Sequence, residues 1–330
     1  MQTKTLFIAI SAMDFLNLSE KLRLLKFMLS MAEHEPESAL SFLEECSYGQ
    51  IARISLRDPK RRLLEKSWKP GLLVKRAKTA ALACQALGIK IELYGGKLYP
   101  PLLREICDPP FALYYRGALD VLFGKSVSVV GTRRLSPDGI KASRTFAYQA
   151  AQKGFCVVSG LAFGADGSAH QGAVDAFYDK SAQRVQTAAV LAGGVDNIFP
   201  PSHKGLAGKI IQNGGVVLSE CPPCVPAEKW RFVQRNRIIA ALSKATVVIQ
   251  APPGSGAMLT ADFALGYNRE LFFHEACFSQ GARELSIAVE RRLMAQNGSA
   301  AKRKLETSPQ KYIDAGAQII RNFEEFSLLT

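Results

Sequence analysis

Gly131-Thr132-Arg133-Arg134 closes an apolar run, Ser126 to Val130, and is followed by Pro137 and a helical pattern. A buried strand that ends in a tight turn and feeds a helix gathers backbone N–H groups around an anion. The Thr132 hydroxyl and the Arg133 and Arg134 guanidinium groups stand on the same turn. The chemistry this suits is phosphate binding. A second basic stretch, Lys229 to Arg237 (KWRFVQRNR), interleaves Lys229, Arg231, Arg235 and Arg237 with Trp230 and Phe232, with Asn236 between the last two arginines. Arginine offers a planar fork to phosphate, and an aromatic ring offers a face to an unpaired base. The pairing of the two fits single-stranded nucleic acid better than a small sugar phosphate.

Other chemistry-bearing residues are weaker candidates. Asp166 and His170 are four apart and share a helix face. They are read first as a helix-start carboxylate and a hydrogen-bonded histidine, and second as an acid–base pair. Cys221-Pro222-Pro223-Cys224 has the spacing of a redox or zinc pair but no second Cys/His pair nearby, and reads as a loop. No Ser-His-Asp, paired-carboxylate or metal-ligand constellation stands out, so neither a cofactor nor a metal is expected.

The elements that position these groups alternate. Strands are expected at Ser126–Val130, Cys156–Ser159, Thr187–Leu191, Val216–Ser219, Ala245–Ile249 and Glu270–Phe273, and helices from near Pro137, Ala165, Ser202, Arg231 and Met258. Such alternation predicts a parallel sheet covered on both faces, with ligands beyond the carboxyl ends of the strands. Five of those ends carry small or polar residues: Gly131-Thr132-Arg133, Ser159 to Asp166 (with Gly160 and Gly164), Gly193-Gly194, Ser219-Glu220 and Gly254-Ser255-Gly256. Glycine ends strands for folding reasons alone, but five such turns on one edge argue for a site.

Residues 1 to about 90 read as helical, including a helix from Pro36 and one from Pro70 to near Gly88, with short segments around 51–56 and 59–64. Residues 91–125 form a connector, in which Asp108 to Gly117 is a turn and then a short strand. Glu290 to Lys311 is polar and basic, and is expected to be a helix followed by a mobile loop.

Lys and Arg outnumber Asp and Glu by 42 to 29 in 330 residues, a net charge of +13, which suits a polyanionic partner without identifying one. Ten of those cations lie between Arg53 and Lys78 against Asp58 and Glu65, as a solvated helix face or a second nucleic-acid contact. Seven scattered cysteines argue for a reducing, cytoplasmic setting. No apolar run reaches the roughly 18 residues of a membrane span. Leu6 to Met13 is too short for a signal peptide and lacks a cleavage site.

Taken in order, YPPLLREICDPPFALYYRG (from Tyr99), VVGTRR, GFCVVSGLAFGADGSAH (from Gly154), VLAGGVDNIFPPSH (from Val190), GGVVLSE, FVQRNRIIAALS and GSGAMLTADFAL resemble the DNA-processing protein A (DprA, or Smf) family. The resemblance covers roughly Leu93 to His274 and resumes at YIDAGAQII. It implies an α/β fold, an extended Rossmann-like parallel or mixed sheet with helices on both faces over residues 91–330, preceded by a small helical SAM-like domain over residues 1–90. It implies a homodimeric, non-catalytic protein that binds single-stranded DNA and helps load RecA recombinase in natural transformation. The implied DNA site is Arg133, Gly160, Gly164, Lys229, Phe232, Asn236 and Arg237, completed by Gly254, Ser255 and Gly256; Gly131 and Thr132 join it from the reading of the turns, and Arg235 from that of the basic stretch.

The chain departs from the family pattern at Ala162-Phe163-Gly164-Ala165-Asp166, which lacks an expected positive charge, and at Gln250, where an acid is usual. The usual Pro-Gly after Phe273 is absent, residues 281–311 look like an insertion, and no winged-helix domain is expected. The fold also resembles the lysine-decarboxylase-like (LOG) phosphoribohydrolases, whose signature carries a catalytic Glu. Pro253-Gly254-Ser255-Gly256 starts similarly, but no Glu follows in the helix.

Overall fold

The computed structural model describes residues 1–34, 38–55, 68–296 and 298–330. Pro36, the segment 59–64, and Arg57, Lys60, Arg61, Arg62 and Lys66 of the basic stretch lie outside the described residues. Helices α1 (Gln2–Ser11), α2 (Leu18–His34), α3 (Ser38–Glu45), α4 (Tyr48–Ser55) and α5 (Pro70–Ala86) form the amino-terminal part. The rest runs β1 (Lys90–Leu93), α6 (Pro101–Arg104), β2 (Ala112–Gly117), β3 (Ser126–Val130), α7 (Pro137–Gln152), β4 (Cys156–Ser159), α8 (Ala165–Tyr178), β5 (Thr187–Val190), α9 (Lys204–Gln212), β6 (Val216–Ser219) and α10 (Lys229–Ala241). It continues with β7 (Ala245–Val248), α11 (Gly256–Gly266), β8 (Glu270–His274), α12 (Gln280–Met294), α13 (Ser299–Glu306), α14 (Pro309–Asp314), β9 (Gln318–Ile320) and α15 (Phe323–Leu329).

The strands make one mixed sheet in the order β1-β2-β6-β5-β4-β3-β7-β8-β9. From β6 to β9 every pairing is parallel, whereas β1–β2 and β2–β6 are antiparallel. The chain leaves β3 toward β4, β5 and β6, then returns to the other side of β3 with β7. The β3/β7 boundary is therefore the switch point, where ligands of doubly wound sheets bind. This is an extended Rossmann-like fold.

Parallel strands covered on both faces are mostly apolar, and β3 is buried along its whole length. Val127 and Val129 pack with Phe146 of α7 and Ala169 and Ala173 of α8 on one face, while Val130 packs with Ile238 of α10 and Met258 of α11 on the other. The polar interruptions are satisfied by helix ends. Ser126 Oγ donates to Leu242 O (2.8 Å) and Ser128 Oγ to Ile239 O (2.7 Å), filling carbonyls that the last turn of α10 leaves free.

The amino-terminal helices are not packed among themselves alone. Leu6, Ile10, Leu24 and Val74 share a continuous apolar cluster with Tyr114 of β2, Val217 of β6 and Ile210 of α9. Ser11 Oγ meets the Tyr114 hydroxyl at 2.5 Å across that contact. Within α1 the buried residues include Leu6, Ile8, Ala9 and Ile10, so the apolar start of the chain is core-forming.

Two expectations are corrected. The connector holds a second antiparallel strand, β1, which was missed because it is four residues long and lies at the sheet edge. The segment expected to be a mobile loop after one helix is instead α12, α13 and α14. Its helices are held by tertiary packing: Ala301 and Tyr312 are buried, and the Tyr312 hydroxyl donates to Asp262 on α11 at 2.6 Å. Helices α10 and α11 also begin two residues earlier than the apolar pattern suggests, at Lys229 and Gly256.

Candidate nucleic-acid interface

The five glycine- and serine-bearing turns lie together at the carboxyl edge of β3 to β7, because these strands are parallel neighbours. The β3 turn and the strand end beside it are tied directly: Thr132 N donates to Gln250 O at 2.7 Å, and Ile249 N to Val130 O at 2.9 Å. A Cβ on Gly131 would lie 2.7 Å from the Ala165 Cβ, so glycine lets the start of α8 close onto this turn. Gly164 adopts φ 75° and ψ −123°, and a Cβ there would run into the backbone of Thr132 and Arg133. The β4 loop thus lies flat on the turn that carries Arg133.

Arg133 is exposed and its guanidinium lies 5.0 Å from the centre of the Phe232 ring. Phe232 in turn packs edge-on against Phe199, with ring centres 5.7 Å apart. On the neighbouring β4 loop Phe163 packs edge-on to His203 at 5.3 Å. Phe163 and Phe199 are 50% and 46% exposed, too open to be core. Trp230, 50% exposed, carries the Arg231 guanidinium 4.2 Å from a ring centre. Exposed rings beside cations form a surface for stacking and for phosphate, although Arg231 also lies 3.6 Å from the Glu228 carboxylate. A groove of about 650 Å³ opens beside it, lined by Arg133, Arg134, Ile140, Phe163 and Gly164.

Along α10 the residues Lys229, Phe232 and Asn236 recur at helical spacing and form one stripe toward this edge. Asn236 Nδ2 donates to Gly256 O (3.2 Å), joining the stripe to the β7 turn with Gly254 and Ser255. Thr132 Oγ1 accepts from Arg134 N at 3.2 Å, which shapes the β3 turn from within.

Arg235 and Arg237 stand apart from the other sequence candidates. Direct phosphate contact was expected of both, yet they are only 4% and 7% exposed. Arg235 Nη1 donates to Val190 O (2.5 Å) and its guanidinium fills the space where Gly160 has no side chain. Burial pulls its pKa down to about 10, opposed by the charge of Asp166. Asp166 is itself raised by burial, with Arg235 acting against the rise. Arg237 pairs with Glu220 at the end of β6, donates to Asp108 O (2.9 Å) and lies 3.2 Å from the Asp108 carboxylate. Both arginines lie in the second half of α10, where every residue but Asn236 is buried. Their charge is spent inside the protein, where it ties the ends of β5 and β6 to the helix.

Asp166 and His170 take the structural role. Thr187 Oγ1 donates to Val157 O (2.5 Å), so it accepts from His170 Nδ1 (2.7 Å). Burial drives the His170 pKa down to about 3, and the ring is neutral at neutral pH. The C-x-x-C cysteines are free, and burial raises both thiols, which disfavours a reactive thiolate. Among the described residues no three His, Cys, Asp or Glu side chains converge as metal ligands, and no helix is long and apolar enough to cross a membrane.

Gln250 explains one departure from the family pattern. It is buried; its Nε2 donates to Ser136 Oγ (2.7 Å) and Ala276 O (2.9 Å), and its Oε1 accepts from Ser136 N (3.0 Å). An amide supplies donors for two acceptors here, which an ionised acid would not. Sequence reasoning missed Phe163, Phe199 and His203 as members of the edge. The available signal was an aromatic ring within each glycine- or proline-rich turn.

Known proteins are similar to this chain in sequence and in fold. A protein called Smf from Synechocystis is 42% identical over 180 residues, covering 53% of this chain and 43% of its own. DNA processing protein DprA from Bacillus subtilis is 36% identical over 186 residues, covering 56% of this chain and 60% of its own. The chain thus spans about half the length of these curated relatives. The crystal structure of DprA from Streptococcus pneumoniae superposes with a TM-score of 0.66 at 25% identity, covering 98% of this chain and 96% of that one. DprA from Helicobacter pylori, described for its single-stranded DNA binding mode, superposes at 0.55 with 26% identity, covering 73% and 95%. The family described as DNA recombination-mediator protein A matches residues 90–328, and the chain belongs to that family.

Proposed function

We propose that the carboxyl edge of this sheet holds single-stranded DNA and that the protein acts in the cytoplasm, as a homodimer, to protect the strand and help load RecA recombinase onto it in transformation or recombination, without catalytic turnover. The observation that carries the reading is the exposed Arg133 guanidinium over the half-buried Phe232 ring, set beside the exposed Phe199 and Phe163 at the mouths of three different turns. Backbone N–H groups and the cations Arg133, Arg134 and Lys229 would take phosphates, while bases leave the backbone and lie on the rings. Family membership and the single-strand binding described for the Helicobacter pylori relative support it. The phosphoribohydrolase reading needs a carboxylate behind the β7 turn. The acid on α11 is Asp262, which is already engaged by the Tyr312 hydroxyl.

The test is binding of a labelled single strand, against duplex of the same sequence, across a salt series. The native protein should prefer the single strand, with affinity falling by about 0.7 log units per phosphate neutralised for each tenfold rise in salt. Arg133→Ala should weaken binding about tenfold and flatten the salt slope by about 0.7, since it removes one phosphate contact and one cation from a ring. Equal binding of duplex, or an Arg133→Ala variant that binds as the native protein does, would overturn the reading.

A further inference from the structure

The segment from α12 to α13 was set aside in the sequence as an insertion, yet it borders the switch point at both ends. At its start, a Cβ on Gly281 would lie 2.6 Å from the Ser136 Cβ, three residues beyond Arg133. At its far end, Gly254 N donates to Thr307 O (3.2 Å), and a Cβ on Gly254 would lie 2.6 Å from the Lys304 Cβ. The stem of Lys304 therefore lies across the β7 turn. Lys302, Arg303 and Lys304 are all exposed, while Ala301 is buried and anchors the helix. The contacts run without a break: Arg133 to Phe232, then along α10 to Asn236, from Asn236 to Gly256, and from Gly254 to Lys304.

We infer that α13 is a further phosphate-binding element, with Lys302, Arg303 and Lys304 extending the path of a single strand beyond the β7 turn. This rests on the single-strand reading of the edge and adds a longer binding site to it. Three exposed cations on one short helix, the last of them with its stem along the Gly254 turn, suit successive phosphates of a strand that has passed over Phe232. A long strand would use both parts of the path, and a short one would be held by the rings and Arg133 alone.

The experiment compares native protein, Arg133→Ala and the triple variant Lys302→Ala/Arg303→Ala/Lys304→Ala on a ladder of oligothymidylates over a salt series. Thermal melting serves as the control for folding, and alanine suits an exposed helix. The triple variant should melt as the native protein does and bind the longest strands at least tenfold more weakly. Its salt slope should be smaller by about 2, for three phosphates at about 0.7 each. Binding of the shortest strands should be unchanged. A triple variant with native slope, beside an Arg133→Ala variant that loses affinity, overturns the role of α13 and leaves the edge site standing. Tighter binding by the triple variant overturns it as well and makes α13 a cover over the β7 turn. A native protein with no salt-sensitive single-strand binding overturns both.

Discussion

Arg237→Ala should lower the unfolding free energy by about 3 kcal/mol, near the bottom of the range for breaking a buried ion pair from one side. The reason is what it leaves behind. Glu220 would remain at the end of β6 without its main cation, and the Asp108 carbonyl would lose its donor. Burial already raises the Glu220 pKa, with Arg237 the strongest of the opposing charges. Removing Arg237 raises it further, so Glu220 takes up a proton and limits the loss. A carboxyl whose folded pKa lies above its unfolded value binds more protons when folded, so stability falls as pH rises through the folded pKa. The deficit of the variant should therefore be largest at neutral pH and shrink toward pH about 4.5, the ordinary range of Glu. Adding Glu220→Gln should recover part of it, which a double-mutant cycle by denaturant unfolding would measure. Because Arg237 is enclosed, the salt slope for single-strand binding by the folded variant should match that of the native protein. A fully stable Arg237→Ala that loses part of its slope would instead place Arg237 on the phosphate path.

Gly164→Ala is the second large effect, and it acts through backbone. The φ of 75° with ψ of −123° is a conformation that side chains resist, at a cost of about 1–3 kcal/mol. A Cβ would also press on the Thr132 and Arg133 backbone, which cannot rotate away as a side chain would. The β4 loop must then lift, the Ala165 N to Thr132 O bond (3.2 Å) breaks, and Arg133 moves relative to Phe232. We expect a stability loss of about 2 kcal/mol and single-strand affinity lower by about tenfold to a hundredfold, each tenfold being about 1.4 kcal/mol. Gly256→Ala is the matching control, since a Cβ there meets nothing within 4 Å. It should stay within about 0.5 kcal/mol of native stability. Equal losses in the two variants would mean that the turns matter only as chain ends.

How much of this was legible in the sequence follows from what local chemistry can encode. Strands β3, β4 and β6 are short apolar runs ended by Gly or Ser-Glu, and their observed limits equal the expected ones. Strand β1 is Lys-Ile-Glu-Leu, half polar because it lies at an edge, and gives too short an alternation to register. Helix α13, SAAKRKLE, has no apolar face long enough to find and is held by Ala301 and by its seat on Gly254. At the site, glycines and arginines were visible as types. Their burial was not, because Arg133 and Arg235 look alike in a sequence; only the pairing of Arg235 with Val190 O across β5 separates them. The same holds for Phe199 and Phe163, which take a role at the edge through loops brought together by strand order.

The most direct test of the central claim is photocrosslinking of a short 4-thiothymidine-substituted single strand to the native protein, followed by peptide mapping of the adducts. The account predicts adducts at Phe232, Phe199 and Phe163, lost in high salt and reduced in Arg133→Ala. Adducts confined to residues 1–90, with none on the turns after β3, β4 and β5, would contradict it.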